Sequence, residues 1–303
     1  MVNIKIITKR CMEIDEVYKM KVLVTGAKGQ LGYDVVERLK ELNIEHIGVD
    51  RDNFDLTDEK QTKEYIMNYK PDVVIHCAAY TAVDKAEDER DLCYAVNVLG
   101  TKNIVEACKE LDAKMVYIST DYVFNGEKEE PYEVTDTPDP VNYYGYTKYL
   151  GEEEVKNNLE KYFIVRISWV FGKNGNNFVK TMLRLGQEKK ELKVVCDQVG
   201  SPTYTFDLAR LLCDMIQTEK YGIYHATNEG YCSWYEFASE IFKIAGMDVK
   251  VIPIKSEDYP TRAKRPRNSR MSKETLKNNF GILTNWKYAV IQLISQSYKI
   301  NKK

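Results

Sequence analysis

The stretch Met20-Lys21-Val22-Leu23-Val24-Thr25-Gly26-Ala27-Lys28-Gly29-Gln30-Leu31-Gly32 decides the reading of the fold. Residues 21–24 are a short apolar run suited to a buried strand, and residues 25–29 form a glycine-rich turn. Beyond the turn, Leu31, Val35, Val36 and Leu39 recur at helical spacing on one face. Strand, glycine turn and helix together open a βαβ unit. Working outward, residues 44–49 read as a second strand. A helix follows from a cap at Thr57, with Asp58 and Glu59 in its first turn, and stops before Pro71. Residues 72–77, 115–119 and 163–168 read as further strands, with helices over 87–111 and 142–156 between them.

Strands alternating with helices imply a parallel sheet with right-handed crossovers. The expected class is α/β, a Rossmann-type doubly wound parallel sheet with a smaller, interleaved C-terminal α/β domain. After residue 170 the alternation decays. Residues 194–197 are expected to return to the sheet, 228–290 to form irregular α/β structure, and the Pro-punctuated stretches 131–140 and 253–266 to be loops. The division this predicts is an N-terminal extension (1–19), a dinucleotide-binding domain (20–170, with parts of 190–225), and a mainly substrate-binding domain (171–303). Residues 1–19 lack the continuous apolar core of a secretory signal. Because Met20 stands directly before the first strand, they read as an extension or alternative start, with a structural arm as the other option.

Composition narrows the classes. The 303 residues are 44% hydrophobic and 30% charged, which is globular rather than disordered. Lys plus Arg number 44 and Asp plus Glu 46, for a net charge of -2, which argues against nucleic acid or an anionic membrane as the main partner. No run approaches the roughly 18 apolar residues of a membrane span. Seven cysteines without a CxxC pair exclude a disulfide framework and a zinc ribbon and point to a reducing compartment, the cytoplasm. The three histidines are too scattered for a metal site, and His76 reads as a satisfied core residue. The 22 tyrosines have no compositional explanation.

The chemistry concentrates in three places. Gly26, Gly29 and Gly32 form a GxxGxxG turn opening a helix, where backbone can approach a pyrophosphate lying on the positive helix N-terminus. Asp50, ending the second strand, is placed to accept hydrogen bonds from a ribose 2′-OH, whereas the adjacent Arg51 suits a 2′-phosphate, so NADH and NADPH both stay open. Asp55 and Leu56 either line an adenine pocket or sit in a surface loop. Tyr144 and Lys148 lie at i and i+4 on one helical face, where an ammonium would lower the phenol pKa for proton donation. Ser119-Thr120-Asp121 falls at the carboxyl end of a parallel strand, the edge where open α/β sheets bind ligands.

Together these motifs resemble the extended short-chain dehydrogenase/reductases. Longer blocks are similar to the dTDP-4-dehydrorhamnose reductase family: Gly29-Gln-Leu-Gly32, Ala78-Ala-Tyr-Thr-Ala-Val-Asp-Lys-Ala86, Ser119-Thr-Asp-Tyr-Val-Phe124, Asn176-Asn-Phe178, Asp197-Gln-Val-Gly-Ser-Pro-Thr203 and Arg265-Pro-Arg-Asn-Ser-Arg270. The resemblance covers about residues 20–295. It implies reduction of a 4-keto sugar, with Tyr144 protonating the C4 oxygen, Lys148 holding the nicotinamide ribose and tuning Tyr144, and Thr120 hydrogen-bonding the reacting oxygen. Gln30, Leu31, Ala78, Ala79 and Thr81 would line the cofactor, NADPH or NADH, and Asp121 would touch substrate.

The implied partner is a dTDP-sugar, held downstream by Trp169, Asn177 and Gln198. Trp169 reads equally as a core tryptophan. Arg265 and Arg267, in a cluster with Arg262, Lys264 and Arg270, suit a diphosphate, with a solvated basic loop as the plainer reading. No metal ligand is identified, although Mg²⁺ and a homodimer stay open. The rivals are another nucleotide-sugar epimerase or dehydratase, which would consume no cofactor, and a non-catalytic regulatory subunit, which would not need Thr120, Tyr144 and Lys148 together.

Overall fold

A computed structural model of the chain describes residues 19–297, so the extension expected over 1–19 lies outside the described residues apart from Lys19. Strand and helix alternate through β1 (Lys21–Thr25), α1 (Gln30–Glu41), β2 (Glu45–Val49), α2 (Glu59–Tyr69) and β3 (Val73–His76). Helix α3 (Arg90–Tyr94), a π-helical segment (Ala95–Leu99) and α4 (Gly100–Leu111) lead to β4 (Lys114–Thr120), α5 (Tyr143–Asn158) and β5 (Tyr162–Ile167). The rest comprises β6 (Val170–Phe171), α6 (Phe178–Glu188), β7 (Glu191–Val195), β8 (Val199–Gly200), β9 (Thr203–Tyr204), α7 (Thr205–Met215), β10 (Gly222–His225), β11 (Cys232–Ser233), α8 (Trp234–Ala245), β12 (Lys250–Ile254), α9 (Glu274–Phe280) and α10 (Trp286–Ser297).

Six parallel strands form the central sheet in the order β10-β5-β4-β3-β1-β2. Val22, Val24 and Ile75 bury one face with Val35 and Leu39 of α1 and Leu208 and Leu212 of α7. Leu23, Val74 and Met115 bury the other with Ile66 of α2, Ile104 and Cys108 of α4 and Val155 of α5. Burial on both faces explains why these strands are continuous apolar runs rather than alternating ones. The chain leaves β1 toward β2 on one side and resumes with β3 on the other. At that reversal the loops diverge and open a crevice at the carboxyl ends of the strands.

A second core gathers Phe171, Val179, Phe237, Ile241, Trp286 and Leu293. Helix α7 and strand β10 lie between its segments in sequence yet pack into the first core.

Three expectations are corrected. The cap of α2 is Asp58, whose carboxylate accepts the Gln61 N–H at 3.0 Å, while the Thr57 hydroxyl binds Asp55. The helix over 87–111 is interrupted by π geometry at Ala95–Leu99, where buried Asn97 turns inward to bind Tyr80 N–H at 2.8 Å and Thr147 Oγ1 at 3.0 Å. Residues 194–197 do not return to the central sheet: β7 pairs with β12 in a separate parallel ladder, and β10 is the sixth strand.

Candidate active site

A cavity of about 910 Å³ fills the crevice, reaching from the glycine turn past the ends of β2, β3 and β4 to Trp169 and Trp234. The turn is built for close approach. Gly26 has φ 67°, and a Cβ there would stand 2.7 Å from the Ala78 backbone nitrogen; one on Gly32 would stand 2.1 Å from the Gly26 carbonyl oxygen. Helix α1 begins at Gly29 with no side-chain cap and no acid in its first turn, so its N-terminal N–H groups face the cavity without a protein anion. Asp50 accepts Lys28 N–H at 2.9 Å and Arg51 N–H at 3.0 Å, fixing the loop that lines the same end. These residues fit a dinucleotide: an anion-seeking helix end, a turn with no room for side chains, and the Asp50 carboxylate beside Arg51 and the Lys28–Asp52 pair.

Beside the turn, Thr25 Oγ1 bonds His76 Nδ1 at 2.7 Å and accepts Ala78 N–H at 3.2 Å, and His76 Nε2 meets Thr101 at 3.3 Å. Burial pushes His76 down to about 3, so it is a neutral core residue holding the β1 and β3 ends together. Gln30, Leu31, Leu56, Ala78, Ala79 and Thr81 all line the cavity. Asp55 does not: its carboxylate accepts from Thr57 N–H and Oγ1 instead.

Across the crevice, Asn142 caps α5 by accepting Gly145 N–H at 2.8 Å, which sets the helical phase that turns Tyr144 and Lys148 inward. Lys148 is 2% exposed, with its Nζ 4.1 Å from the Tyr117 ring centroid. Burial lowers it to about 7, against the opposing pull of the Glu152 carboxylate. The expected lowering of Tyr144 by Lys148 is not what the structure produces. Burial, then the Asp121 charge, raise the phenol well above 10, with the neighbouring Thr120 hydroxyl acting in the opposite sense. Tyr144 is thus held protonated.

Thr120 ends β4 and donates to Asp121 Oδ1 at 2.9 Å while accepting Tyr122 N–H at 3.2 Å. Asp121 is raised to about 6 by burial, with the Ser269 and Thr120 hydroxyls acting in the opposite sense, and among the described residues its Oδ2 makes no hydrogen bond.

The downstream residues divide. Trp169 serves both of its readings: it lines the cavity and packs on the second core, stacked on Trp234 at 3.7 Å. Its φ of 49° is a left-handed conformation costly for a bulky residue, held in place by that stack. The structure does not bring the other four into the cavity. Asn177 caps α6 through Lys180 N–H at 3.1 Å and binds Gln30 Oε1 at 3.1 Å, so its amide is engaged within the protein. Gln198 binds Ser256 at 3.0 Å. Arg265 makes a bidentate pair with Asp84 at 2.7 and 3.1 Å, and Arg267 pairs with Glu257 at 3.7 Å. Arg262 likewise binds Asp88, so three of the segment's five cations are paired with acids of neighbouring loops.

Trp234, Asn176 and Tyr122 line the cavity and were missed. Trp234 lies in the irregular C-terminal region, and no local signal connects it to Trp169. Also unread was the fully buried network beneath the site, in which Arg166 binds Glu152 at 2.7 and 2.9 Å and Ser119 donates to the same carboxylate. Among the described residues, no cluster of three or more His, Cys, Asp or Glu could hold a metal ion, and no helix is long and apolar enough to cross a membrane.

A family model described as RmlD substrate binding domain matches residues 20–299. The dTDP-4-dehydrorhamnose reductase of Aggregatibacter actinomycetemcomitans is 40% identical over 284 residues, spanning 89% of this chain and 97% of that protein. The spore coat polysaccharide biosynthesis protein SpsK of Bacillus subtilis is 39% identical over 276 residues, spanning 91% and 97%. The crystal structure of dTDP-4-dehydrorhamnose reductase from Bacillus anthracis, in complex with NADP, superposes with a TM-score of 0.90 at 45% identity, covering 92% of this chain and all of that one. A UDP-glucose 4-epimerase from Thermus thermophilus, at 21% identity and a TM-score of 0.78, shares the fold alone. The chain belongs to the RmlD substrate-binding-domain family, alongside the dTDP-4-dehydrorhamnose reductases it matches along nearly their whole length.

Proposed function

We propose that this chain reduces the C4 ketone of dTDP-4-dehydro-L-rhamnose to dTDP-L-rhamnose, a step toward surface polysaccharide. The observation that carries the reading is the meeting of Thr120, Tyr144 and Lys148 in one cavity with the glycine turn. A nicotinamide dinucleotide bound along that turn supplies the hydride. Tyr144, kept protonated by burial and by the Asp121 charge, gives its proton to the C4 oxygen. Thr120, fixed by its bond from Tyr122 N–H, polarises the same oxygen. Lys148 brings a dischargeable cation to the buried floor of the site.

Arg51 lines the ribose end beside Asp50, and its guanidinium suits the 2′-phosphate of NADPH, with NADH also accepted; the neighbouring Lys28 ammonium pairs with Asp52. We further assign the sheet and its two helical layers to dinucleotide binding and the second core to the nucleotide sugar. The six described cysteines, all free, suit the reducing conditions of the cytoplasm. The test follows nicotinamide absorbance with purified protein. NADPH should be consumed only on addition of dTDP-4-dehydro-L-rhamnose; product formation without net oxidation would indicate an epimerase.

A further inference from the structure

Residues 261–270 form no helix or strand, yet Ala263, Pro266, Asn268 and Ser269 along them are buried. This strap is tied to both sides of the cavity. At one end, Val199 N–H donates to the Arg267 carbonyl at 2.8 Å and Ser269 N–H to the Val199 carbonyl at 2.7 Å. The next residue of β8, Gly200, packs so closely on Trp169 that a Cβ there would stand 2.9 Å from the indole ring. At the other end, Asp84 accepts Ala263 N–H at 3.0 Å and both Arg265 guanidinium nitrogens, at 2.7 and 3.1 Å. Asp84 directly follows Val83, which lines the cavity on the side of Ala78, Ala79 and Thr81.

Between these anchors the strap meets the helix that carries Tyr144. The Asn142 side chain, 6% exposed, joins the two: Oδ1 accepts Gly145 N–H at 2.8 Å, capping α5, and Nδ2 donates to the Lys264 carbonyl at 2.9 Å. Lys264 stands between Ala263 and Arg265, the two residues locked to Asp84. Tyr144 is only two residues beyond Asn142. Glu87 holds the same turn by accepting Tyr143 N–H at 2.8 Å, so the start of α5 hangs on one acid and one amide.

We propose that Asn142 is a positioning residue for the reduction: bonded to the strap, it fixes the first turn of α5, and with it Tyr144, against the wall that carries Asp84. This rests on the reductase reading. A cap by itself completes the hydrogen bonds of the helix wherever the helix lies. The bond to Lys264 adds what a cap lacks, a tie to a segment fastened on both sides of the cavity. A proton donor must come within hydrogen-bond reach of the oxygen it protonates, and a misplacement of about 1 Å costs roughly 100-fold in rate. Both polar ends of the Asn142 amide are engaged within the protein, so it acts on the reaction through Tyr144 rather than by touching substrate.

The test separates the two bonds of Asn142. Serine and aspartate cap helices about as well as asparagine but lack its amide donor. Asn142→Ser and Asn142→Asp should therefore keep the wild-type melting temperature, KM and NADPH affinity while kcat falls about 10–100-fold. The solvent deuterium isotope effect on kcat should rise, because donation from a displaced Tyr144 becomes the slow step. Unchanged kcat in both variants, with or without a raised KM, would overturn the proposal. So would a loss that only follows the unfolded fraction and leaves the isotope effect unaltered. A second readout needs no turnover. Arg265→Met and Arg265→Lys loosen the strap at Asp84 and leave the residues of α5 and its cap unchanged. Backbone hydrogen exchange at Gly145 and Tyr146 should quicken in both, more in Arg265→Met, and exchange at the wild-type rate would overturn the strap. If wild-type protein oxidises no NADPH with the keto sugar, the reductase reading fails, and the exchange measurement alone decides whether the strap holds α5.

Discussion

At the scale of single residues, burial does more than neighbouring charge to set the chemistry. Tyr144 is protonated because it is desolvated beside Asp121, and Lys148 sits near the point of losing its charge for the same reason. Tyr144→Phe should reduce turnover by roughly 10²–10⁴-fold while leaving NADPH affinity nearly unchanged, measured by steady-state kinetics and fluorescence titration. Lys148→Met makes a prediction in the opposite sense for stability. The folded lysine titrates near 7 and the unfolded one near 10.5, so at neutral pH the unfolded state binds more protons and stability rises with pH between those values. Lys148→Met should therefore be more stable than wild type by on the order of 3 kcal/mol at about pH 7, and the gap should close toward about pH 10. Urea unfolding at the two pH values checks it. The Tyr-x-x-x-Lys spacing was legible in the sequence because i and i+4 share a helical face wherever the helix lies. The direction of the pKa shifts was not, since desolvation depends on what covers the helix.

Elements show why particular residues recur at the site. A Cβ on Gly32 would drive into the Gly26 carbonyl oxygen, so Gly32→Ala must push α1 away from the turn. We expect at least a tenfold rise in the NADPH dissociation constant and a lower melting temperature, read by calorimetric titration and thermal unfolding. Helix α5 is fastened to β4 and β5 by the buried Ser119–Glu152–Arg166 network, one helical turn beyond Lys148. Glu152→Ala leaves the Arg166 guanidinium buried without its partner and should cost about 3–5 kcal/mol in urea unfolding. The strands and helices of the first half could be read from sequence because each is a complete amphipathic or apolar run. Strand β10 could not, since Gly222 to His225 carries no distinctive pattern and joins the sheet only through β5.

For the whole molecule, the cavity is the seam between two cores. The sheet core supplies the glycine turn, Thr120 and the Tyr144 helix, while the second core supplies the Trp169–Trp234 stack. A dinucleotide and a dTDP-sugar should therefore stabilise the fold separately, each by about 2.7 kcal/mol at 100 times its dissociation constant. Trp234→Ala should remove most of the increment from dTDP-sugar and little of that from dinucleotide, as thermal unfolding with each ligand alone would show.

The sequence by itself determined the parallel sheet, the glycine turn and the Tyr144–Lys148 pair, because each is written in contiguous or helically spaced residues, whereas Thr120 joined that pair through the resemblance of its strand-end block. Only the tertiary structure decided which polar groups remain available to a ligand. Three of the five cations read as a diphosphate site, Arg265, Arg262 and Arg267, pair with Asp84, Asp88 and Glu257, and Asn177 is engaged by its own helix cap. Trp234 reaches Trp169 across 65 residues of chain, as its number shows. Charge and hydrogen-bonding capacity belong to residue types, but whether they are already satisfied depends on neighbours that lie far apart in sequence.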